Sequence, residues 1–216
     1  MSQIVLGVTG SVAALRVPAL YEGLRGMGHR VRVVATEAST HFFGPDALAT
    51  DPFDPLGGPV FRDADEWAGD RWRRDDPVLH IEFRRWADVL VVAPLDANTL
   101  AKFALGLSDN FLTCLFRAWD FDRPVVLAPA MNTRMWDSPV TRRHLRQLLE
   151  DRGDGGPGAA RWSLDEAAAV FARHAPGLIL VPPQAKRLAC GDVGQGAMAE
   201  VAAIAEAVRG VLEGAG

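Results

Sequence analysis

The sequence predicts an α/β architecture: one domain built on a doubly wound parallel sheet with helices on both faces. Three observations carry this. Five short apolar runs bounded by turn residues, Ile4–Val8, Val31–Ala35, Val89–Ala93, Val125–Ala128 and Leu178–Val181, have the length of fully buried strands. Stretches with helical spacing separate them, and strands that alternate with helices run parallel because a short parallel connection needs a crossover helix. The length of 216 residues suits a single α/β domain of generous size.

The first strand runs through the turn Gly7-Val8-Thr9-Gly10-Ser11-Val12-Ala13 into a helix predicted over Val12–Met27. The second strand ends in Thr36-Glu37-Ala38-Ser39. Residues 44–77, rich in Pro, Gly and Asp, read as a long excursion with little regular structure, and a loop of that length is more often functional than idle. The third strand precedes helices at Asn98–Leu107 and Asn110–Trp119, and the fourth precedes Trp136–Glu150. Residues 151–163, Asp-Arg-Gly-Asp-Gly-Gly-Pro-Gly onward, predict a mobile connector to a short helix at Leu164–His174, so that 151–176 forms a flexible insert. The last strand and a helix at Glu200–Leu212 close the chain. No internal repeat or low-complexity tract marks a second module.

Composition excludes several classes. The chain is 49% hydrophobic and 23% charged, as in soluble globular proteins. No segment reaches the roughly 18 uninterrupted apolar residues of a membrane span, and the N-terminus lacks a signal-peptide pattern, so a cytoplasmic protein is expected. Cys114 and Cys190 are the two cysteines, which excludes a disulfide framework, and the five histidines are too scattered to complete a zinc signature. No metal is expected. A net charge of −4 offers no basic footprint for nucleic acid; the run Arg71-Trp72-Arg73-Arg74 is followed at once by Asp75 and Asp76 and reads as a solvated loop.

In such a sheet, ligands bind at the carboxyl ends of the strands. Gly10, Ser11 and Val12 form a turn of small and hydroxyl residues at a helix start, an arrangement that accepts a phosphate through backbone N–H groups, with Ser11 able to cap the helix or donate to the anion. The third glycine of the dinucleotide fingerprint and the lysine of a P-loop are both missing, which favours one terminal phosphate. Thr36 and Ser39 place further hydroxyls at the second strand end. Glu37 stands where an acidic residue holds a nicotinamide-dinucleotide ribose, but the glycine pattern for that reading is incomplete.

The third and fourth strand ends are more specific. Ala93-Pro94-Leu95-Asp96-Ala97-Asn98-Thr99-Leu100-Ala101-Lys102 and Pro129-Ala130-Met131-Asn132-Thr133-Arg134-Met135-Trp136 resemble two motifs of the flavin-dependent cysteine decarboxylases, a family of phosphopantothenoylcysteine and peptidyl-cysteine decarboxylases. Lys186 to Met198, containing Cys190-Gly191-Asp192-Val193-Gly194-Gln195-Gly196, resembles the substrate flap of the first branch, about residues 184–198, and Pro77-Val78-Leu79-His80-Ile81-Glu82 matches as well. The resemblance spans nearly the whole chain. It implies a flavodoxin-like, Rossmann-type fold over 1–216 and flavin mononucleotide (FMN) as cofactor. Gly10, Ser11, Val12, Thr36 and Ser39 would serve the phosphate end, and Asp96, Ala97, Asn98, Thr99 and Ala130 would line the flavin. It further implies Asn132 as the substrate carboxylate ligand, with Arg187, Ala189 and Met198 on the flap, and His80 and Cys190 as catalytic residues. A homo-oligomer is implied too, a trimer that commonly assembles to a dodecamer with sites shared between subunits.

The chemistry suits these residues. A cysteinyl carboxylate loses carbon dioxide slowly because the carbanion has nowhere to delocalise, and hydride removal from the carbon bearing sulfur creates a thioaldehyde sink that decarboxylates to an enethiolate. His80 has a side chain suited to taking the thiol proton near neutral pH; the alternative is a structural histidine starting a helix. Asn132 orients a carboxylate without the full positive charge that would stabilise the ground state and oppose its loss. Cys190 favours 4'-phosphopantothenoylcysteine, since the flap cysteine supplies the proton that leads to a saturated thiol in that branch. A precursor peptide ending in cysteine, converted to an aminoenethiol, is the second substrate reading, and a non-catalytic flavoprotein regulatory subunit is the reading of another class.

Overall fold

Strands buried on both faces read as continuous runs of Val, Leu and Ile, and the computed structural model assembles such runs into one parallel sheet. It describes residues 1–49, 56, 58–67, 71, 73–153, 162–187 and 191–214. Strands β1 (Gln3–Val8), β2 (Arg30–Ala35), β3 (Val60–Arg62), β4 (Val89–Leu95), β5 (Val125–Pro129) and β6 (Leu178–Leu180) lie in the order β3-β2-β1-β4-β5-β6. Every neighbouring pair is parallel. The chain builds outward from β1 through β2 to β3, then returns to the other side of β1 as β4. The crevice between the β1 and β4 ends is therefore the switch point at which such sheets bind ligands.

The helices are α1 (Val17–Gly26), α2 (Asp63–Glu66), α3 (Leu79–Trp86), α4 (Ala97–Leu105), α5 (Phe111–Arg117), α6 (Thr133–Trp136), α7 (Pro139–Arg152), α8 (Ala167–His174) and α9 (Val201–Glu213). Alternate strand residues point to opposite faces. Ile4, Leu6, Val8, Val33, Val91 and Val126 pack with Leu20 and Leu24 of α1 and Ile204 and Val208 of α9. Val5, Val34, Leu90, Val92 and Leu127 pack on the other face with Phe83, Phe111, Leu145 and Phe171, from α3, α5, α7 and α8.

Proline accounts for two departures from the expected helices. The stretch expected as one helix over Val12–Met27 is a 3-10 turn at Val12–Arg16 followed by α1, whose first turn holds Pro18; proline lacks the N–H that a helix interior requires. The helix expected over Trp136–Glu150 starts later: Trp136 closes the short α6, and α7 begins at Pro139, with Ser138 accepting from the Val140 N–H at 3.2 Å. Residues 44–77 hold more regular structure than expected: the edge strand β3 and the short α2 lie within them. Residues 151 and 152 complete α7, while 154–161 lie outside the described residues. Beyond them, Trp162 is buried, and Ser163 and Glu166 start the turn that leads into α8.

The stretch expected as a flap is an antiparallel pair separate from the main sheet, β7 (Gln184–Arg187) and β8 (Val193–Ala197). Residues 188–190 between them lie outside the described residues, so Ala189 and Cys190 have no described position.

Candidate functional site

A hydroxyl ties the two strand ends of the switch point together. Thr9, fully buried, donates its hydroxyl to the Pro94 carbonyl at 2.8 Å and accepts from the Asp96 N–H at 2.7 Å. Asp96 then caps α4, its carboxylate accepting from the Thr99 N–H at 2.7 Å. This fixes Asp96, Ala97, Asn98 and Thr99 beside the Gly10–Val12 turn. Ala97 is half-buried, Asn98 is exposed and Thr99 is buried. Ala130 lines the next strand end, where its N–H donates to the Leu95 carbonyl at 2.9 Å.

Gly10 is hemmed in. A Cβ at this position would lie 2.6 Å from Ala38 Cβ and 3.4 Å from Asp96 Oδ2. Only a residue without a side chain lets the β1 turn close against the 36–41 turn and α4 together. Ser11 Oγ accepts from the Ala13 N–H at 3.3 Å, which leaves the hydroxyl proton available for donation. Val12 is exposed on the same turn. Thr36 and Ser39 behave differently: their hydroxyls donate to backbone carbonyls, of Val8 at 3.3 Å and of Thr36 at 2.7 Å, so at these two positions only lone pairs remain.

The fourth strand end meets the flap. Asn132 is the N-cap of α6, with Oδ1 accepting from the Arg134 N–H at 2.8 Å. Its Nδ2 donates to the Asp192 carboxylate at 2.7 Å, so a carboxylate already stands against the amide expected to hold one. The Met131 N–H donates to the Gly196 carbonyl at 2.9 Å, which docks β8 along this loop. Gly196 has φ +148°, and a Cβ there would collide with the Met131 carbonyl. Met198 is 2% exposed within the α1/α9 core layer, while Arg187 is exposed at the end of β7.

Glu200 anchors the flap from below. It is bonded to Lys186 and Arg16 and accepts from Gln184 Nε2 at 3.0 Å, which links β7, α9 and the 3-10 turn behind Ser11. The Lys186 ammonium first, then Arg16 and Gln184, hold its carboxyl down to about 2.

His80 lies at the carboxyl rim on the β3 side of the sheet. The ring Nδ1 is 2.5 Å from Glu66 Oε1, and the His80 backbone N–H donates to Glu66 Oε2 at 3.1 Å. The Glu66 side chain is 1% exposed and that of His80 18%. Nearby, Asp63 accepts from the Phe111 N–H at 3.0 Å, and burial pushes its carboxyl above the ordinary range. Cys114 on α5 is a partly buried thiol, pushed up by burial and then by the carboxylates of Glu66, Asp109 and Asp63. Among the described residues no group of His, Cys, Asp or Glu side chains could hold a metal ion, and no helix is long and apolar enough to cross a membrane.

The rim thus gathers Gly10, Ser11, Val12, Thr36, Ser39, Asp96, Ala97, Asn98, Thr99, Ala130 and Asn132. His80 stands apart from Asn132. Glu66 and Glu200 escape a sequence reading, and the bonds of Thr9 and Asp192 do too, because each acts through a partner distant in the chain.

A family model described as Flavoprotein matches residues 1–213. The chain is 43% identical over 212 residues to mouse phosphopantothenoylcysteine decarboxylase, covering 97% of this chain and 87% of the mouse protein. A solved PPC decarboxylase mutant complexed with pantothenoylaminoethenethiol superposes with a TM-score of 0.77 at 43% identity, covering 98% of each chain. The FMN binding protein AtHal3 superposes with a TM-score of 0.75 at 44% identity, covering 99% of this chain and 97% of the other.

Proposed function

This chain belongs to the flavoprotein family, among its flavin-dependent cysteine decarboxylases, and from that membership we propose an FMN enzyme that oxidatively decarboxylates 4'-phosphopantothenoylcysteine in coenzyme A biosynthesis. The observation that carries the reading is the rim itself. Asn132, the residue suited to a carboxylate, follows β5, two strands from the β1 end whose glycine turn suits a phosphate, and a relative 43% identical over 97% of this chain is a phosphopantothenoylcysteine decarboxylase. That breadth of identity favours phosphopantothenoylcysteine over a peptide ending in cysteine.

FMN fits the residues present. Gly10 lets the β1 turn close against Ala38 and Asp96, which brings its backbone beside the α4 start, Ser11 retains a proton to donate, and the Ala97–Thr99 and Ala130 backbone forms the adjoining wall. When bound, FMN supplies a hydride acceptor for the carbon bearing the substrate sulfur, which makes the carboxylate two bonds away labile. The remaining tasks fall to the protein. His80 takes the thiol proton at Nε2, the ring nitrogen turned away from Glu66. Asn132 Nδ2 binds the substrate carboxylate in the place that Asp192 fills, orienting it for loss without a fixed cation. Arg187 and Ala189 belong to the flap segment that closes over the substrate, and Met198, buried in the core layer, stands at the base of that segment. Cys190 donates the proton that carries the enethiolate on toward a saturated thiol, the matching hydride being the one that reduced flavin would return.

The site is completed between protomers. His80 starts α3 and is bonded to Glu66 of α2, which packs beside β3, while Asn132 follows β5, with β2, β1 and β4 between those two strands. That placement separates the base from the carboxylate ligand by more than the reactive end of one substrate. The exposed apolar side chains of Leu15, Met135 and Val193 support burial against another copy, and a trimer, itself able to form a dodecamer, is the assembly we infer.

The test is to incubate the holoenzyme separately with phosphopantothenoylcysteine and with peptides ending in cysteine, and to weigh the products. The proposal expects the first substrate to lose carbon dioxide alone. Turnover confined to the peptides, with loss of carbon dioxide and two hydrogens, transfers the function to the peptide branch. No mass change with any of them refutes the activity.

A further inference from the structure

We propose that Glu66 is a positioning residue for the reaction: its carboxylate holds the proton on His80 Nδ1, so that Nε2 is presented bare to the substrate thiol. The inference deepens the reading of His80 as base and rests on it.

The geometry of α2 separates Glu66 from its neighbours. Asp65 turns back to accept from the Arg62 N–H at 2.7 Å, and Asp63 accepts from the Phe111 N–H at 3.0 Å, so each of these has a backbone task. Glu66 instead bridges to another helix, where both of its carboxylate oxygens meet one residue. Oε2 accepts from the His80 backbone N–H at 3.1 Å near the start of α3, and Oε1 meets the His80 ring at 2.5 Å. A neutral side chain such as Ser or Asn would satisfy a backbone N–H at a helix start. The second oxygen exceeds that need, and placing a carboxylate at 1% side-chain exposure is costly unless its lone pairs are filled. The Cys114 thiol of α5 feels the Glu66 charge, and it brings no balancing positive charge.

An ionised carboxylate only accepts, so the ring nitrogen it meets carries the proton and the far nitrogen is the acceptor. When the substrate S–H bond breaks and an N–H bond forms at Nε2, the imidazolium is born beside a buried anion already in place. No reorganisation is needed, and the low dielectric strengthens the attraction.

Neutron diffraction from deuterated crystals of the oxidised holoenzyme tests the tautomer without turnover. The inference expects a deuteron on His80 Nδ1 and none on Nε2; a deuteron on Nε2 beside a bare Nδ1 overturns it. Kinetics test the consequence. Glu66→Gln keeps size and shape, but its amide nitrogen donates toward Nδ1 and selects the opposite tautomer. We expect the single-turnover rate to fall about 10²- to 10⁴-fold, by analogy with other histidines deprived of their orienting carboxylate, with KM within about threefold of the parent, FMN retained, and partial recovery in Glu66→Asp. A Glu66→Gln protein that turns over at the parent rate overturns the inference, provided His80→Gln is inactive. If His80→Gln also turns over normally, it is the base assignment that fails. Should Glu66→Gln fail to fold, the neutron result decides alone.

Discussion

Replacing Gly10 by alanine converts the cradle into a measurable loss of flavin affinity. The new Cβ would lie 2.6 Å from Ala38 Cβ, where ordinary contact begins at 3.4 Å, so the two turns must part by at least 0.8 Å, the difference of those distances. Ala38 Cβ is fixed to its backbone and cannot swing aside as a long side chain would. The movement therefore falls on the backbone proposed to frame the phosphate. A hydrogen bond lengthened by most of an ångström is largely lost, and one to a charged group contributes about 1.5–3 kcal/mol. At about 1.4 kcal/mol per factor of ten, the Kd for FMN rises about 10- to 150-fold. The assay is titration of the apoprotein with FMN, followed by quenching of flavin fluorescence, with Gly10→Ala/Ala38→Gly as the rescue. Unchanged affinity in the single variant, or a loss that the double variant fails to restore, refutes the account of Gly10 as a steric requirement of the cofactor site.

Other expectations follow from the flap and its anchor. Gly196→Ala must push the Met131 carbonyl away and weaken the 2.9 Å bond that docks β8 beside Asn132, so kcat should fall by about 10²-fold, as misplacement on the order of 1 Å does elsewhere; steady-state kinetics with a melting control checks it. Asp192→Ala removes the carboxylate that competes for Asn132 Nδ2, so KM should fall several-fold with kcat retained, which steady-state kinetics checks. Glu200, ordinarily near 4.5, is held at about 2 by Lys186, Arg16 and Gln184, so its ionised form favours the docked flap above the ordinary value. That contribution is lost as pH falls from 4.5 to about 2, and protease cleavage within β7–β8 should accelerate over this window in the parent but not in Glu200→Gln.

Much of the fold and the rim was legible because the signals are local. Ser11, Asp96 and Asn132 each bond to a backbone N–H two or three residues on, which is the pattern that marks a helix start in a sequence. The buried strands stand out as apolar runs for the same reason. The edge strand β3 does not: Val60-Phe61-Arg62 is too short to show a period and lies among Pro, Gly and Asp. The helix breaks at Pro18 and Pro139 were visible as residues, yet apolar spacing continues across them and masks the division. The partners of the chemistry were hidden by distance along the chain. Glu66 is 14 residues from His80, Asp192 is 60 from Asn132, and Glu200 is 184 from Arg16. No spacing rule joins such pairs until the sheet brings them together. The separation of His80 from Asn132 could not be read either, since it follows from strand order rather than strand content.

The central claim is that rim residues hold FMN against a thiol-bearing acid so that oxidation at the carbon bearing sulfur releases carbon dioxide. Rapid anaerobic mixing of the oxidised Cys190→Ser holoenzyme with phosphopantothenoylcysteine tests it most directly, because removing the proposed proton donor should halt the reaction after oxidation. The account predicts bleaching of the oxidised flavin band together with release of one equivalent of carbon dioxide, both slowed by deuterium on the carbon bearing sulfur. Carbon dioxide released with no flavin bleaching at any stage, or with no isotope effect on bleaching when chemistry limits it, would contradict the account.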